Sequence, residues 1–219
     1  ALAALTALTI MVRRDATRRN DRRVRKWMRR HRSGVGTGVA NVVTLAGIPP
    51  VHLPVALALA WVVNRKRGVA PAVPLALASL TAFGAHHLIK AMLPSRRRPS
   101  AGWLRRHQPA FPSGHTTGAT AVSLTAGYMF VRERLAEDEY VLPVAMGVPL
   151  AVGFTRLYLD RHWAADVLAG WLLGTGIAGL CITLYEETRH ISEAKSRLPT
   201  ASSPPGSSGS PADSQRPPP

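Results

Sequence analysis

The sequence predicts an all-α polytopic membrane protein, a bundle of about six transmembrane helices. Hydrophobic residues make up 46% of the 219-residue chain, and its charges are gathered into short stretches. No Asp, Glu, Lys or Arg occurs in four long segments: residues 33–64, 68–89, 107–131 and 140–155. Uncharged segments that approach or exceed about 18 residues are typical of transmembrane helices. Buried helices of a soluble protein are disfavoured, because several of them in so short a chain would leave little surface to solvate.

The predicted spans follow one another along a single domain at residues 1–190. Residues 1–12 are apolar but short, and we expect them to be the end of a truncated first helix. The other five spans are predicted at about residues 35–63, 69–93, 113–131, 141–157 and 163–185. Prolines interrupt the second span, which is tolerated when neighbouring helices satisfy the freed backbone groups. Residues 191–219 form a tail rich in Ser and Pro, without apolar periodicity, and we expect it to be disordered.

A basic connector at residues 13–32 joins the first two spans and carries eleven Lys or Arg against two Asp. Within it, Val24, Trp27 and Met28 form a narrow apolar stripe at helical spacing, which is typical of an amphipathic helix that lies on lipid headgroups. The net charge of +16 also raises nucleic acid as a partner. Because the connector is bounded by apolar segments and lacks a recognised nucleic-acid module, we expect anionic headgroups and no nucleic acid.

An arginine, a histidine and an aspartate precede the last span at the spacing Arg-x5-His-x3-Asp. If a helix begins near Trp163, His162 and Asp166 lie one turn apart on the same face. The carboxylate can then accept the Nδ1 proton and leave Nε2 free to attack an electrophile. Arg156 offers a planar fork of donors that suits phosphate oxygens. This segment, residues 155–166, predicts a phosphate-transfer site at a membrane surface.

A second motif, Pro-Ser-Gly-His at residues 112–115, falls where the fourth span begins. Ser113 is a good helix N-cap, and Gly114 lets the backbone approach an anion closely. The first N–H groups of a helix are a ready anion site, and His115 would sit beside the phosphate, placed for proton transfer. Taken alone, the motif would indicate only a capped helix with an interfacial histidine.

The third motif, residues 90–99, ends the third span with Lys90 and a run of arginines before Pro99. Taken alone, it indicates a lysine that snorkels to the interface beside a positive flank. In their order, the three motifs resemble the type 2 phosphatidic acid phosphatase (PAP2) family of membrane lipid phosphatases, in the vanadium haloperoxidase superfamily. That family usually has six residues between the lysine and Arg-Pro, whereas this chain has seven. The arginine of the motif is therefore either Arg98, which we predict, or Arg97.

The resemblance implies a metal-independent hydrolase without a cofactor. His162 would attack phosphorus and form a phosphohistidine, with Asp166 orienting its ring, and His115 would protonate the departing oxygen and then activate water. The phosphate oxygens would be held by Lys90, Arg98, Ser113, Gly114 and Arg156. The expected substrates are lipid phosphates or diphosphates of the polyprenyl diphosphate, phosphatidic acid or phosphatidylglycerophosphate class. The alternatives are a membrane phosphotransferase with the same intermediate and a non-catalytic protein that binds anionic lipids.

The remaining predictions concern the other histidines and the orientation. We expect packing or interfacial roles for His86 and His87, and ordinary structural roles for His52, His107 and His190. The pocket that selects the lipid tail is expected between the second and third spans. Alternating spans place all three motifs on one membrane face with the basic connector, so the positive-inside rule would put them in the cytoplasm. The family resemblance implies an extracytoplasmic site in the cell membrane, and we adopt that orientation. The oligomeric state is left open.

Overall fold

A computed structural model of the chain describes residues 1–67, 73–93, 99 and 109–197. This part contains eight α-helices, and a 3-10 turn at Thr44–Gly47 joins the third to the fourth. The helices are α1 (Leu2–Arg13), α2 (Arg18–Arg30), α3 (Gly34–Val43), α4 (Pro49–Arg67), α5 (Val73–Met92), α6 (Gly114–Arg132), α7 (Asp138–Tyr158) and α8 (Ala164–Arg197).

Helices occupy the places of all six predicted spans, and the all-α membrane bundle is confirmed. Among the described residues, α7 and α8 are long and apolar enough to cross a membrane. Helix α3 with its turn and helix α4 together pass the same test as one span that bends by 54°. The bend lies beside the prolines that were expected to interrupt this span. Helices α5 and α6 contain 20 and 19 residues, so each is about 28–30 Å long, but they carry more polar side chains.

Helix α8 continues beyond the place where the sequence predicted a span to end and a tail to begin. It is helical to Arg197, well past the predicted end of the span at Tyr185 and past residue 191. The residues after Tyr185 include several glutamates, arginines, an alanine and a lysine, which are good helix formers. The helix therefore persists after the apolar sequence has ended. The rest of the predicted tail, residues 198–219, lies outside the described residues.

Helix α6 stands at the centre of the bundle, in contact with α4, α5, α7 and α8. Its close approach to α8 depends on Gly170 and Gly174, one turn apart on α8. A Cβ atom on Gly174 would lie 2.6 Å from Thr120 Cβ and 2.7 Å from the carbonyl oxygen of Thr117. Small residues at four-residue spacing let two helix backbones come close in a membrane. This contact brings the N-terminal ends of α6 and α8 together.

The amphipathic helix α2 lies across the same end of the bundle, in contact with α7 and α8. The predicted apolar stripe is divided between two environments. Met28 is buried in a cluster with Ala40 and Tyr158, and Val24 packs against that cluster. Trp27 remains 53% exposed. Two of the three stripe residues therefore hold α2 onto the protein, and Trp27 remains available to the headgroup region.

Two carboxylates tie α6 to α8 at the opposite end of the bundle. Tyr128 and Arg132 donate to Glu186 Oε1 over 2.9 and 3.1 Å. The hydroxyl of buried Tyr185 donates to Glu133, which also lies 3.6 Å from Arg189 Nε. The two helices are thus fixed at both ends.

We predict that Gly174→Ala lowers stability in detergent by about 1–3 kcal/mol, the usual cost of overpacking, because the new methyl group would meet backbone. The matched control is Gly179→Ala on the same helix, since a Cβ atom there has nothing within 4 Å. The control should unfold at the wild-type temperature or slightly above, because alanine favours helix. Thermal unfolding followed by circular dichroism measures both. Equal stability of the two variants would contradict the proposed helix contact.

Candidate active site

The site forms where the C-terminal end of α7 meets the N-terminal ends of α6 and α8. His162 lies in the short loop between α7 and α8, and Asp166 lies in the first turn of α8. The Nδ1 atom of His162 is 3.3 Å from Asp166 Oδ2, and both side chains are buried. Because a carboxylate only accepts, Nδ1 carries the proton in this contact, and Nε2 keeps its lone pair. The predicted pairing of these two residues is present in the fold.

Asp166 also fixes the local backbone on both sides. Its Oδ2 accepts the N–H of Trp163 over 2.9 Å, a contact from the third helical position back to the N-cap, as in one half of a capping box. Its carbonyl oxygen accepts the N–H of Ser113 over 3.0 Å. One residue therefore joins the beginning of α8 to the beginning of α6.

Helix α2 holds the segment around His162 through one ion pair and one hydrogen bond to the backbone. Arg25 donates from Nε and Nη2 to the two carboxylate oxygens of Asp160 over 2.7 and 2.9 Å. These bonds raise the pKa of Arg25 against the opposing effect of its partial burial. Asp160 itself has φ of 57°, a left-handed conformation that Asp tolerates better than most residues. One helical turn earlier on α2, buried Asp21 accepts the N–H of Ala165 over 2.9 Å. Helix α2 thus positions both sides of His162.

The second motif opens α6, as predicted. Ser113 is the N-cap residue, and its backbone, not its hydroxyl, makes the capping contacts. The hydroxyl is fully buried and accepts a hydrogen bond from Thr116 Oγ1 over 2.9 Å. Gly114 is required by a neighbour, because a Cβ atom there would lie 2.7 Å from His86 Nε2. His115 follows in the first turn and is half-buried.

A cavity of about 500 Å³ brings these elements together. Four of the predicted site residues line it, namely Lys90, Gly114, His115 and His162. Ser113 and Asp166 lie behind this wall. Arg156 is buried and donates from Nη1 to Thr44 Oγ1 over 2.9 Å. It is therefore near the turn that precedes α4, and it is not among the described residues that line the cavity. Arg97 and Arg98 lie outside the described residues.

Three histidines with expected packing or ordinary structural roles also line this cavity: His52, His86 and His87. His86 is buried, and its Nδ1 donates to the carbonyl oxygen of Ala82 over 3.0 Å, so its Nε2 faces Gly114. The sequence contained one signal for this placement, since His86 precedes Lys90 by four residues and therefore shares its face of α5. His52 had no such signal, because its position depends on the bend between α3 and α4.

The fold and this cavity define a class of protein: an integral membrane protein built of helices, with a histidine-lined cavity at one end of the bundle. One of these histidines, His162, contacts a buried carboxylate. A sequence profile of the PAP2 superfamily matches residues 71–189, more than half of the chain. The chain belongs to this family. The matched region contains all three motifs.

Comparison with curated proteins and solved structures agrees with this assignment. The chain is 35% identical over 94 residues to an undecaprenyl-diphosphatase of Sulfolobus acidocaldarius, which covers 41% of this chain and 39% of that protein. It is 32% identical over 105 residues to phosphatidylglycerophosphatase B of Bacillus subtilis, which covers 45% of this chain and 52% of the relative. The chain thus matches about two fifths to one half of the length of these relatives.

A solved structure supports the fold over a longer range. The crystal structure of a transmembrane PAP2-type phosphatidylglycerolphosphate phosphatase from Bacillus subtilis superimposes with a TM-score of 0.73 at 21% sequence identity. The match covers 90% of this chain and 96% of that one. The helical membrane architecture is therefore shared over nearly the whole chain.

Proposed function

We propose that this protein is a membrane lipid phosphatase that hydrolyses a lipid phosphate or diphosphate through a phosphohistidine on His162. The observation that carries the proposal is the placement of two histidines from different elements, His115 and His162, on one cavity. The Nδ1 atom of His162 lies 3.3 Å from the buried carboxylate of Asp166. His162 is buried and lies in a loop, whereas His115 is half-buried in the first turn of α6, so the two rings have different environments, as a nucleophile and an acid–base group require.

In the first step, Nε2 of His162 attacks the terminal phosphorus, and the bond from that phosphorus to the leaving oxygen breaks. The leaving group is the lipid alcohol of a monophosphate or the lipid monophosphate of a diphosphate. His115 in its protonated form gives a proton to that leaving oxygen. Asp166 stabilises the positive charge that develops on the His162 ring. In the second step, neutral His115 takes a proton from water, the resulting hydroxide attacks phosphorus, and the bond to His162 Nε2 breaks. Both histidines return to their initial states.

The phosphate oxygens would be held mainly by positive charge and by backbone donors. Lys90, Gly114 and His115 all line the cavity, and Gly114 and His115 carry the first N–H groups of α6, which form an anion site at a helix N-terminus. We include Ser113, Arg156 and Arg98 in the proposed cradle. Positioning and electrostatic stabilisation supply most of the catalysis in phosphoryl transfer.

The proposed substrates follow from the relatives, whose names specify undecaprenyl diphosphate and phosphatidylglycerophosphate. Phosphatidic acid belongs to the same chemical class. We further propose that α2, with five basic side chains around one groove, contacts anionic headgroups. A phosphotransferase would use the same intermediate and pass the phosphate to another acceptor, and a non-catalytic lipid-binding protein would keep the cavity without turnover.

We predict that the detergent-solubilised protein releases inorganic phosphate from at least one of these three lipids. His162→Ala and His115→Ala should each lower the rate by about 10²-fold or more, the range of an acid–base contribution. His190→Ala, at an exposed histidine far from the cavity, is the control and should keep the wild-type rate. Lipid binding without phosphate release would support the non-catalytic alternative. Phosphate that appears on an acceptor other than water would support the phosphotransferase.

We also propose that the site faces the outside of the cell membrane. The prediction uses two single cysteines in a Cys181→Ala background, Asn20→Cys on α2 at the site end and Glu137→Cys at the opposite end; both positions are exposed. A membrane-impermeant maleimide added to intact cells should label only Asn20→Cys, whereas permeabilised cells should show both labelled. Labelling of Glu137→Cys alone in intact cells would place the site in the cytoplasm, as the distribution of positive charge suggests.

A further inference from the structure

An apolar groove of about 490 Å³ runs along the outside of the bundle between α4, α6 and α7. Its walls consist almost entirely of aliphatic and small side chains. Among these residues are Val55 and Leu59 of α4, Ala119 and Ser123 of α6, and Val144 and Val148 of α7. The composition suits a hydrocarbon chain and offers few partners to a polar ligand.

The groove continues directly from the candidate active-site cavity. His52 lines both of them, and Gly118 in the cavity is followed on α6 by Ala119 in the groove. The His52 ring is buried, with Nδ1 2.9 Å from Ser79 Oγ of α5. This ring therefore stands at the boundary between a polar space, which holds the two site histidines, and an apolar one.

The direction and length of the groove fit a lipid whose phosphate lies in the cavity. Along α6 the groove extends from Ala119 to Phe130. These two residues are eleven positions apart, which corresponds to about 16 Å at a rise of 1.5 Å per residue. That distance is roughly half of a hydrocarbon core about 30 Å thick. Ala119 lies one helical turn after His115, so the groove starts just below the cavity and leads into the membrane.

The groove opens sideways toward the bilayer. Val55 on one rim is 46% exposed, and Val144 on the other is 62% exposed. A chain can therefore enter between α4 and α7 without leaving the hydrocarbon phase. Because lipid tails are as apolar as these walls, entry gains little hydrophobic free energy. Its effect would lie in orienting the lipid so that phosphorus stands in line with His162.

We propose that this groove holds one hydrocarbon chain of the lipid whose phosphate occupies the cavity, and that it selects substrates by the length of that chain. The proposal rests on the proposed phosphatase function and specifies its substrate further. The proposed tail-binding surface differs from the one expected from the sequence, which lay between the second and third spans. Among the described residues, the walls come from α4, α6 and α7, which include the second span and not the third.

The kinetic test uses tryptophan substitutions that fill the groove, and it compares lipid substrates with long and short hydrocarbon chains. Ser123→Trp and Val144→Trp should lower kcat/KM about tenfold for dioleoyl phosphatidic acid and undecaprenyl diphosphate. Neither variant should change the value for dihexanoyl phosphatidic acid, whose chains are short enough to end near the cavity. The control is Leu142→Trp, because Leu142 is similarly exposed on α7, at 54%, but is not among the groove residues. Equal losses for long and short chains, or no loss for long chains, would overturn the proposal.

A second readout does not require turnover. Phosphatidic acid with a photoreactive diazirine in mid-chain is added to the His162→Ala variant in lipid nanodiscs. Crosslinks should fall on the groove faces of α4, α6 and α7 and should be lost when Ser123→Trp is added. Crosslinks on α5 or α8 instead, or none, would overturn the groove. If no lipid releases phosphate, the proposed phosphatase function is contradicted. The crosslinking measurement still tests whether a lipid chain occupies the groove.

Discussion

The carboxylate of Asp166 is the constraint on which the rest of the site depends. It is fully buried (0% exposed), and a buried carboxylate is strongly unfavourable unless donors surround it. The donors here are the Trp163 backbone and the His162 ring, while the carbonyl of Asp166 binds the Ser113 backbone. The side chain and the backbone carbonyl of Asp166 obtain these hydrogen bonds only when the loop after α7 lies against the beginnings of α6 and α8. Those are the segments that carry the two site histidines.

The remainder of the fold maintains this junction. Gly170 and Gly174 allow α8 to lie against α6, and the carboxylates Glu133 and Glu186 fix the same two helices at the other membrane surface. Helix α2 holds the His162 loop through Arg25 and Asp160. The phosphate chemistry proposed here therefore rests on rigid helix ends, whereas the chain of the lipid would lie in an open groove on the bundle surface.

Local patterns in the sequence predicted much of this arrangement. Uncharged segments predicted the membrane helices, and the four-residue spacing predicted the contact between His162 and Asp166. Both features could be predicted because they depend on residues close together in the chain. The pairing of Arg25 with Asp160, 135 residues apart, had no local signal. Neither did His52, which reaches the cavity only because the second span bends by 54°. Arg156 shows the same limit, because its contact with Thr44, 112 residues away in the chain, exists only in the folded bundle.

The central claim is that Nε2 of His162 becomes covalently bonded to phosphorus. It is tested most directly by mixing the protein with a lipid that carries radiolabelled phosphate, stopping the reaction in alkali and locating the label by peptide mapping. We expect label on the peptide that contains His162. The label should be stable in alkali and lost in acid, as expected for a phosphorus–nitrogen bond. It should be absent from the His162→Ala variant. Label on His115 instead, or phosphate release without any labelled peptide, would contradict it.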